Sequence, residues 1–237
     1  MARLCLCVNQ IARLRNLNKD RIPDPASVAI AAELGGIDGI VAELRDDRSD
    51  ITDRDVTVLK EVVQSHLNLA IPLADEMVKK ALKWLPDMVT LLPAIREVSL
   101  NTSLDVVSNL EFVEDVAAAL RANNIVVNVL IDPDPHQIRA AAKAHVDYVH
   151  INSNPLRSIE DLGTMSDMIE QIRSIAGAAN KLGMGVSTGR ALNAQNIRDI
   201  SDISYIEELN VGRALVARSI LVGVEKAVEQ MKALISS

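Results

Sequence analysis

Hydrophobic and polar positions along the chain follow two periods in turn. Short runs rich in Val, Ile and Leu at 4–9, 39–44, 67–71, 88–92, 125–131, 147–151, 184–187 and 206–210 read as strands. The run 125–131 has no polar alternation except Asn128, as a strand covered on both faces requires. Between these runs the apolar spacing is helical, at 25–34, 53–66, 75–85, 110–123, 135–144, 158–182 and 193–199, with a long amphipathic segment from Gly212 and Arg213 to Lys232. Local punctuation agrees. Asp24 stands as N-cap before Pro25, Gly35-Gly36 closes that helix, Thr52 or Asp53 opens the next, and Pro86 stops the one after it.

Eight strand-helix repeats joined by short turns predict an α/β fold of one kind, a (β/α)8 TIM barrel forming a single domain over 1–237, with any active site at the C-terminal ends of the strands. An open doubly wound sheet is the alternative. It calls for a glycine fingerprint after the first strand, and VNQIARLRN has none.

Composition narrows the partners. At 237 residues and 49% hydrophobic, the chain can bury a full core, and no stretch reads as an internal boundary. A net charge of −7, no basic run and 2% aromatics argue against nucleic acid. No apolar run reaches ~18 residues and MARLCLCVNQ is not a cleavable signal, so the expectation is a cytoplasmic protein without membrane contact. Cys5 and Cys7, two apart on one strand face, cannot easily bridge and read as buried thiols of a reducing compartment. Further ligands for a metal are wanting, and His66, His136 and His145 lie at element ends as surface or capping residues, so neither metal nor cofactor is expected.

Chemistry concentrates at two turns. The last strand runs through Asn210 into Gly212 and Arg213 and directly into a helix, a layout in which backbone N–H groups and the helix dipole favour an anion. The turn after the seventh strand carries Gly189 and Arg190. Barrels of this kind hold phosphate at these two loops, which points to a phosphorylated small molecule or inorganic phosphate as ligand. Arg218, five residues after Arg213, either adds charge there or faces solvent.

The segments VNQIARLRN, PDPASVAIAAELGGIDGIVAELRDDRSDITDRDV, LNLAIPLADEM, VTLLP, TSLDVV and ELNVGRALVARSILVGVEKAVEQMK, in this order, resemble the pyridoxine 5'-phosphate synthase family. The resemblance spans essentially the whole chain. It implies the barrel, an octameric homo-oligomer, and a site that condenses 1-deoxy-D-xylulose 5-phosphate with 3-amino-2-oxopropyl phosphate.

The resemblance also exposes departures. Asn9 is kept, but VN-Q-IA replaces the family's VN-I-D-H-IA and loses its substrate-contacting Asp-His pair. Glu43 stands where the family has a histidine base, while Arg45 survives two residues on; Asp50 replaces a second substrate-binding histidine of that loop. Ala70 occupies the position of a glutamate base. On the sixth strand a glutamate becomes His150, followed by Asn152, Ser153 and Asn154 in place of His-Thr-Gly. Arg190 replaces the proton-donating histidine, Gly212-Arg213 replaces the final Gly-His, and Ser99 takes the place of a threonine in the strand-four loop.

Ring closure needs several proton transfers, each worth ~10²–10⁴-fold in rate when a positioned group performs it. Arginine holds its proton near neutral pH and alanine has none to exchange. These residues therefore imply a barrel that has lost the parent condensation and serves as a non-catalytic phosphate-ligand-binding, regulatory or assembly homologue. Two alternatives stay open: a barrel repurposed by nature or by an engineer, with Glu43 and His150 as an acid-base pair, and an active synthase with rearranged catalytic residues. Glu43 has a plainer role available, pairing with Arg190 or Arg213.

Overall fold

The apolar runs become eight parallel strands: β1 (Arg3–Cys7), β2 (Gly39–Glu43), β3 (Leu67–Pro72), β4 (Met88–Leu92), β5 (Val126–Ile131), β6 (Tyr148–Asn152), β7 (Gly185–Gly189) and β8 (Glu208–Val211). Each pairs with the next, and β8 returns to β1 through Leu4 opposite Leu209 and Leu6 opposite Val211, so the sheet closes into a (β/α)8 barrel. The computed structural model describes residues 2–17, 19–94 and 102–235; Ser99 lies outside them.

The helices follow as α1 (Asn9–Leu17), α2 (Pro25–Leu34), α3 (Asp53–Val62), α4 (Asp75–Trp84), α5 (Leu110–Arg121), α6 (Pro135–Lys143), α7 (Leu162–Lys181), α8 (Ile197–Ser201), α9 (Arg213–Val222) and α10 (Val224–Ile235). Their starts are built as the caps dictate. Asp24 accepts the Ser27 N–H at 3.1 Å, and Thr52 and Asp55 form a reciprocal capping box. The layer between helices and barrel is one apolar cluster that includes Leu4, Leu6, Ile40, Leu69, Leu91, Val127, Ile151 and Leu209.

Register at the N-terminal end is held by a repeated device. Asp38, Asp87 and Asp147 each precede an even-numbered strand, and each carboxylate accepts a backbone N–H from the first two residues of the neighbouring odd strand: Leu4 at 2.8 Å, Leu67 at 2.8 Å and Val127 at 2.9 Å. These N–H groups sit where the ladder has no partner for them, so the aspartates satisfy them and fix the offset of each strand pair.

Five expectations change. The segment after β1 is the helix α1, which the sequence pattern hides because its buried face includes Arg15 as well as Ile11 and Ala12. Arg15 forms a two-pronged pair with the buried Asp55, at 2.7 and 2.9 Å. The long final helix is broken at Gly223, whose φ of 84° a helix cannot continue through. The expected helix at 158–182 starts later: a 3-10 turn, Asn154–Arg157, precedes it, and Asp161 caps α7 by accepting from the Thr164 N–H at 2.7 Å. The helices expected at 53–66 and 193–199 are also shifted, α3 ending at Val62 and α8 running Ile197–Ser201.

Candidate functional site

At the C-terminal ends of the strands a cavity of about 230 Å³ opens. Its wall is divided. Ala70, Leu92 and Leu130 form a small apolar cluster apart from the main core, while Arg13, Arg45, Arg157, Arg190 and Arg213 face the same space. Among the described residues, Glu43 and Asp50 are the two carboxylates in the lining, against five arginines, in a chain whose net charge is −7. Low-dielectric walls lined by one sign of charge concentrate the opposite ion.

Asn9, first residue of α1, is a clamp between strands. Its Nδ2 donates to the Glu43 carbonyl and its Oδ1 accepts the Glu43 N–H, both at 2.7 Å. Glu43 ends β2 half-buried, with a carboxylate oxygen 4.0 Å from an Arg190 terminal nitrogen. Arg45 is buried at Nε without a hydrogen bond, 3.5 Å from Asp47. Asp50 is taken up by Arg13 in a forked pair at 3.0 and 2.8 Å, and hydrogen bonding to that carboxylate raises the Arg13 pKa.

The two glycine turns meet across the β7–β8 edge. A Cβ on Gly189 would lie 2.7 Å from the Asn210 carbonyl oxygen, so glycine is required there by the packing of the strands themselves. Arg190 follows with φ of 82°, a backbone conformation unusual for a side-chain-bearing residue and characteristic of functional turns. Gly212 is the N-cap of α9, and no side chain caps the first-turn N–H groups of that helix. Its substitution would press a Cβ to 3.3 Å from Cys7 Cβ. Arg213 donates to the Arg190 carbonyl at 3.1 Å. Burial, then the charges of Arg157 and Arg13, lower its pKa. Arg218 turns away and donates to Gln230 at 2.8 Å, so it adds no charge to the cavity.

His150 sits buried on β6 with Nδ1 2.9 Å from Ser187 Oγ and 3.4 Å from Asn210 Nδ2. Burial, followed by the nearby Arg190 charge, pushes its pKa down to about 3. Of the roles open to Glu43, the geometry favours pairing with Arg190; a Glu43–His150 acid-base pair would have to work with an imidazole too weakly basic to take a proton efficiently near pH 7. Cys7, expected to be buried, is half-buried and lines the cavity, its thiol pushed up to about 11 mainly by burial. His136 and His145 are exposed as expected, whereas His66 has its Nε2 buried without a hydrogen bond.

Arg13 and Arg157 are charged cavity residues that sequence reasoning missed. Arg13 lies on the unrecognised helix α1, and Arg157 on the 3-10 turn read as the start of a longer helix. No group of three or more His, Cys, Asp or Glu residues among the described residues is arranged to hold a metal ion.

A family model described as pyridoxal phosphate biosynthesis protein PdxJ matches residues 4–237. The chain is 39% identical over 236 residues to the pyridoxine 5'-phosphate synthase of Pelobacter propionicus, covering 99% of each chain. It is 38% identical over 232 residues to that of Geotalea uraniireducens, covering 98% of this chain and 97% of the other. Among solved structures, the thiamine phosphate pyrophosphorylase of Pyrococcus furiosus superposes with a TM-score of 0.66 at 15% identity, over 99% of this chain and 95% of that one. KGPDC from Streptococcus mutans gives 0.68 at 12% identity, over 100% and 98%. Likeness at that level speaks for the barrel alone.

Proposed function

Because the chain belongs to the family of the pyridoxal phosphate biosynthesis protein PdxJ, we propose that it is a synthase-like barrel that binds a phosphorylated small molecule across the β7 and β8 turns without performing the family's ring-closing condensation. The observation that carries this reading is the charge and protonation pattern of one cavity. Five arginines among the described residues face it, Arg45 Nε makes no hydrogen bond, Glu43 is drawn to Arg190, and His150 stays neutral. Such a lining favours an anion strongly and offers few groups that exchange protons near pH 7. The uncapped N-terminus of α9 beside Arg213 is the natural seat for the phosphate. A binding, regulatory or assembly role follows, in a homo-octamer of a reducing compartment where Cys5 and Cys7 remain thiols.

Identity of 39% over the full length of a named synthase supports the opposing reading, an active enzyme with rearranged residues in which Glu43 is the base. Calorimetric titration with inorganic phosphate and 1-deoxy-D-xylulose 5-phosphate, followed by a turnover assay with both parent substrates, separates the two. Binding without product is the expected result. Product formation overturns the proposal and makes Glu43 the first residue to replace.

A further inference from the structure

His150 belongs to a hydrogen-bonded chain that crosses the barrel interior. Thr90 on β4 donates its hydroxyl proton to Asn68 Oδ1 at 2.8 Å, leaving its oxygen to accept from Asn128 Nδ2 at 3.2 Å. The second Nδ2 proton of Asn128 goes to Ser187 Oγ at 3.0 Å. Ser187 Oγ, an acceptor from Asn128, lies 2.9 Å from His150 Nδ1 with its own proton free to point there. Asn210 Nδ2, also a donor, approaches the same nitrogen at 3.4 Å. With the Asn128 and Asn210 amides oriented in this way, Ser187 Oγ–H and Asn210 Nδ2 can both donate to Nδ1, the arrangement in which Nδ1 is the unprotonated nitrogen. The ring proton resides on Nε2, which has no protein partner among the described residues, and His150 lines the cavity floor.

We infer that His150 presents a fixed Nε2–H donor to the ligand and selects a phosphorylated molecule bearing an oxygen acceptor, such as a carbonyl, over one bearing an ammonium group at the same place. The selectivity rests on the phosphate reading above; the orientation of the proton does not. A donor facing an ammonium leaves both groups unsatisfied in a buried site, whereas a carbonyl oxygen completes the pair. The arrangement is preorganised by buried side chains, since Asn68, Asn128 and Ser187 are each fully enclosed. Burial and the Arg190 charge keep the ring from acquiring a second proton that would free it from this tautomer. His150 also lies close to the anion-holding turns, because a Cβ on Gly189 would stand 3.2 Å from its Cε1.

Two measurements decide the inference. Imidazole ¹⁵N–¹H correlation spectra of the labelled protein, with His150→Gln for assignment, are expected to show an Nε2–H tautomer, neutral down to about pH 5. An Nδ1–H tautomer or an imidazolium there overturns it. Calorimetry then compares dihydroxyacetone phosphate, phosphoethanolamine and inorganic phosphate. The ketone is expected to bind more tightly than the amine, and His150→Phe to weaken the ketone about 3- to 10-fold while leaving inorganic phosphate unchanged. Equal binding of ketone and amine, or an equal loss for ketone and phosphate, refutes the selectivity. Failure of all three anions to bind the native protein, with the Nε2–H signal present, instead overturns the phosphate reading and the selectivity with it, leaving the tautomer established.

Discussion

Arg213 and His150 carry the residue-scale argument because each is defined by what surrounds it. Arg213 is crowded by Arg157 and Arg13 and donates to the uncharged Arg190 carbonyl, so its guanidinium has much to gain from an anion. Arg213→Ala is expected to weaken inorganic phosphate binding about tenfold or more by calorimetry, the scale of a hydrogen bond to a charged group. Arg218→Ala, whose side chain bonds Gln230 instead, leaves the affinity unchanged. The histidine makes a second prediction through linkage. Its folded pKa of about 3 lies below the ordinary value near 6.5, so the unfolded chain takes up a proton that the folded one refuses. Its contribution to stability is complete above about pH 6.5 and is lost as pH falls toward 3. Urea midpoints measured between about pH 7 and pH 4.5 should therefore drop more steeply for the native protein than for His150→Gln; parallel slopes would show that the ring titrates normally.

At the scale of elements, two buried polar devices hold strands and helices in place. The aspartates before β2, β4 and β6 each satisfy one backbone N–H of a neighbouring strand, and removing one leaves that donor unpaired. Asp87→Ala should cost about 1–3 kcal/mol in chemical denaturation. The Arg15–Asp55 pair joins α1 to α3 and is almost wholly buried, with side-chain exposures of 8% and 3%. Burial tends to raise the Asp55 carboxyl, but hydrogen bonds from Arg15 and Thr52 outweigh it and hold the pKa below the usual range. Asp55→Ala removes one half of the capping box and strands a buried guanidinium, for a loss of about 3–5 kcal/mol. A loss under about 1 kcal/mol would mean that Arg15 finds water or another acceptor.

Over the whole molecule, charge is distributed unevenly and apolar side chains remain outside. A chain of net charge −7 gathers five arginines of its described residues at one end of the barrel, so phosphate affinity should fall as salt rises from about 50 to 500 mM, with the weakest response in Arg213→Ala. On the outer helices Leu17, Leu34, Ile220 and Leu221 are 74%, 74%, 73% and 75% exposed. Side chains of this kind favour the proposed self-assembly, and light scattering should report an octamer that Ile220→Asp with Leu221→Asp reduces to smaller species. None of the helices among the described residues is long and apolar enough to cross a membrane.

The sequence by itself determined the barrel, because a parallel strand buried on both faces and a helix buried on one leave different hydropathic periods, and eight repeats of that pair have one closed arrangement. It also located the β7 and β8 turns and narrowed the partner of Glu43 to Arg190 or Arg213, since position along a strand fixes which residues reach the mouth; the structure selects Arg190. It did not reveal α1, whose buried face includes a charged residue matched by Asp55 from a distant helix, nor the stop at Gly223, where the apolar period continues while the backbone does not. Tertiary structure alone decided the state of His150. The ring's charge and tautomer depend on Ser187, Asn210 and Arg190, brought to it from β7, its following turn and β8, and contacts between strands far apart in the chain leave no local pattern to read.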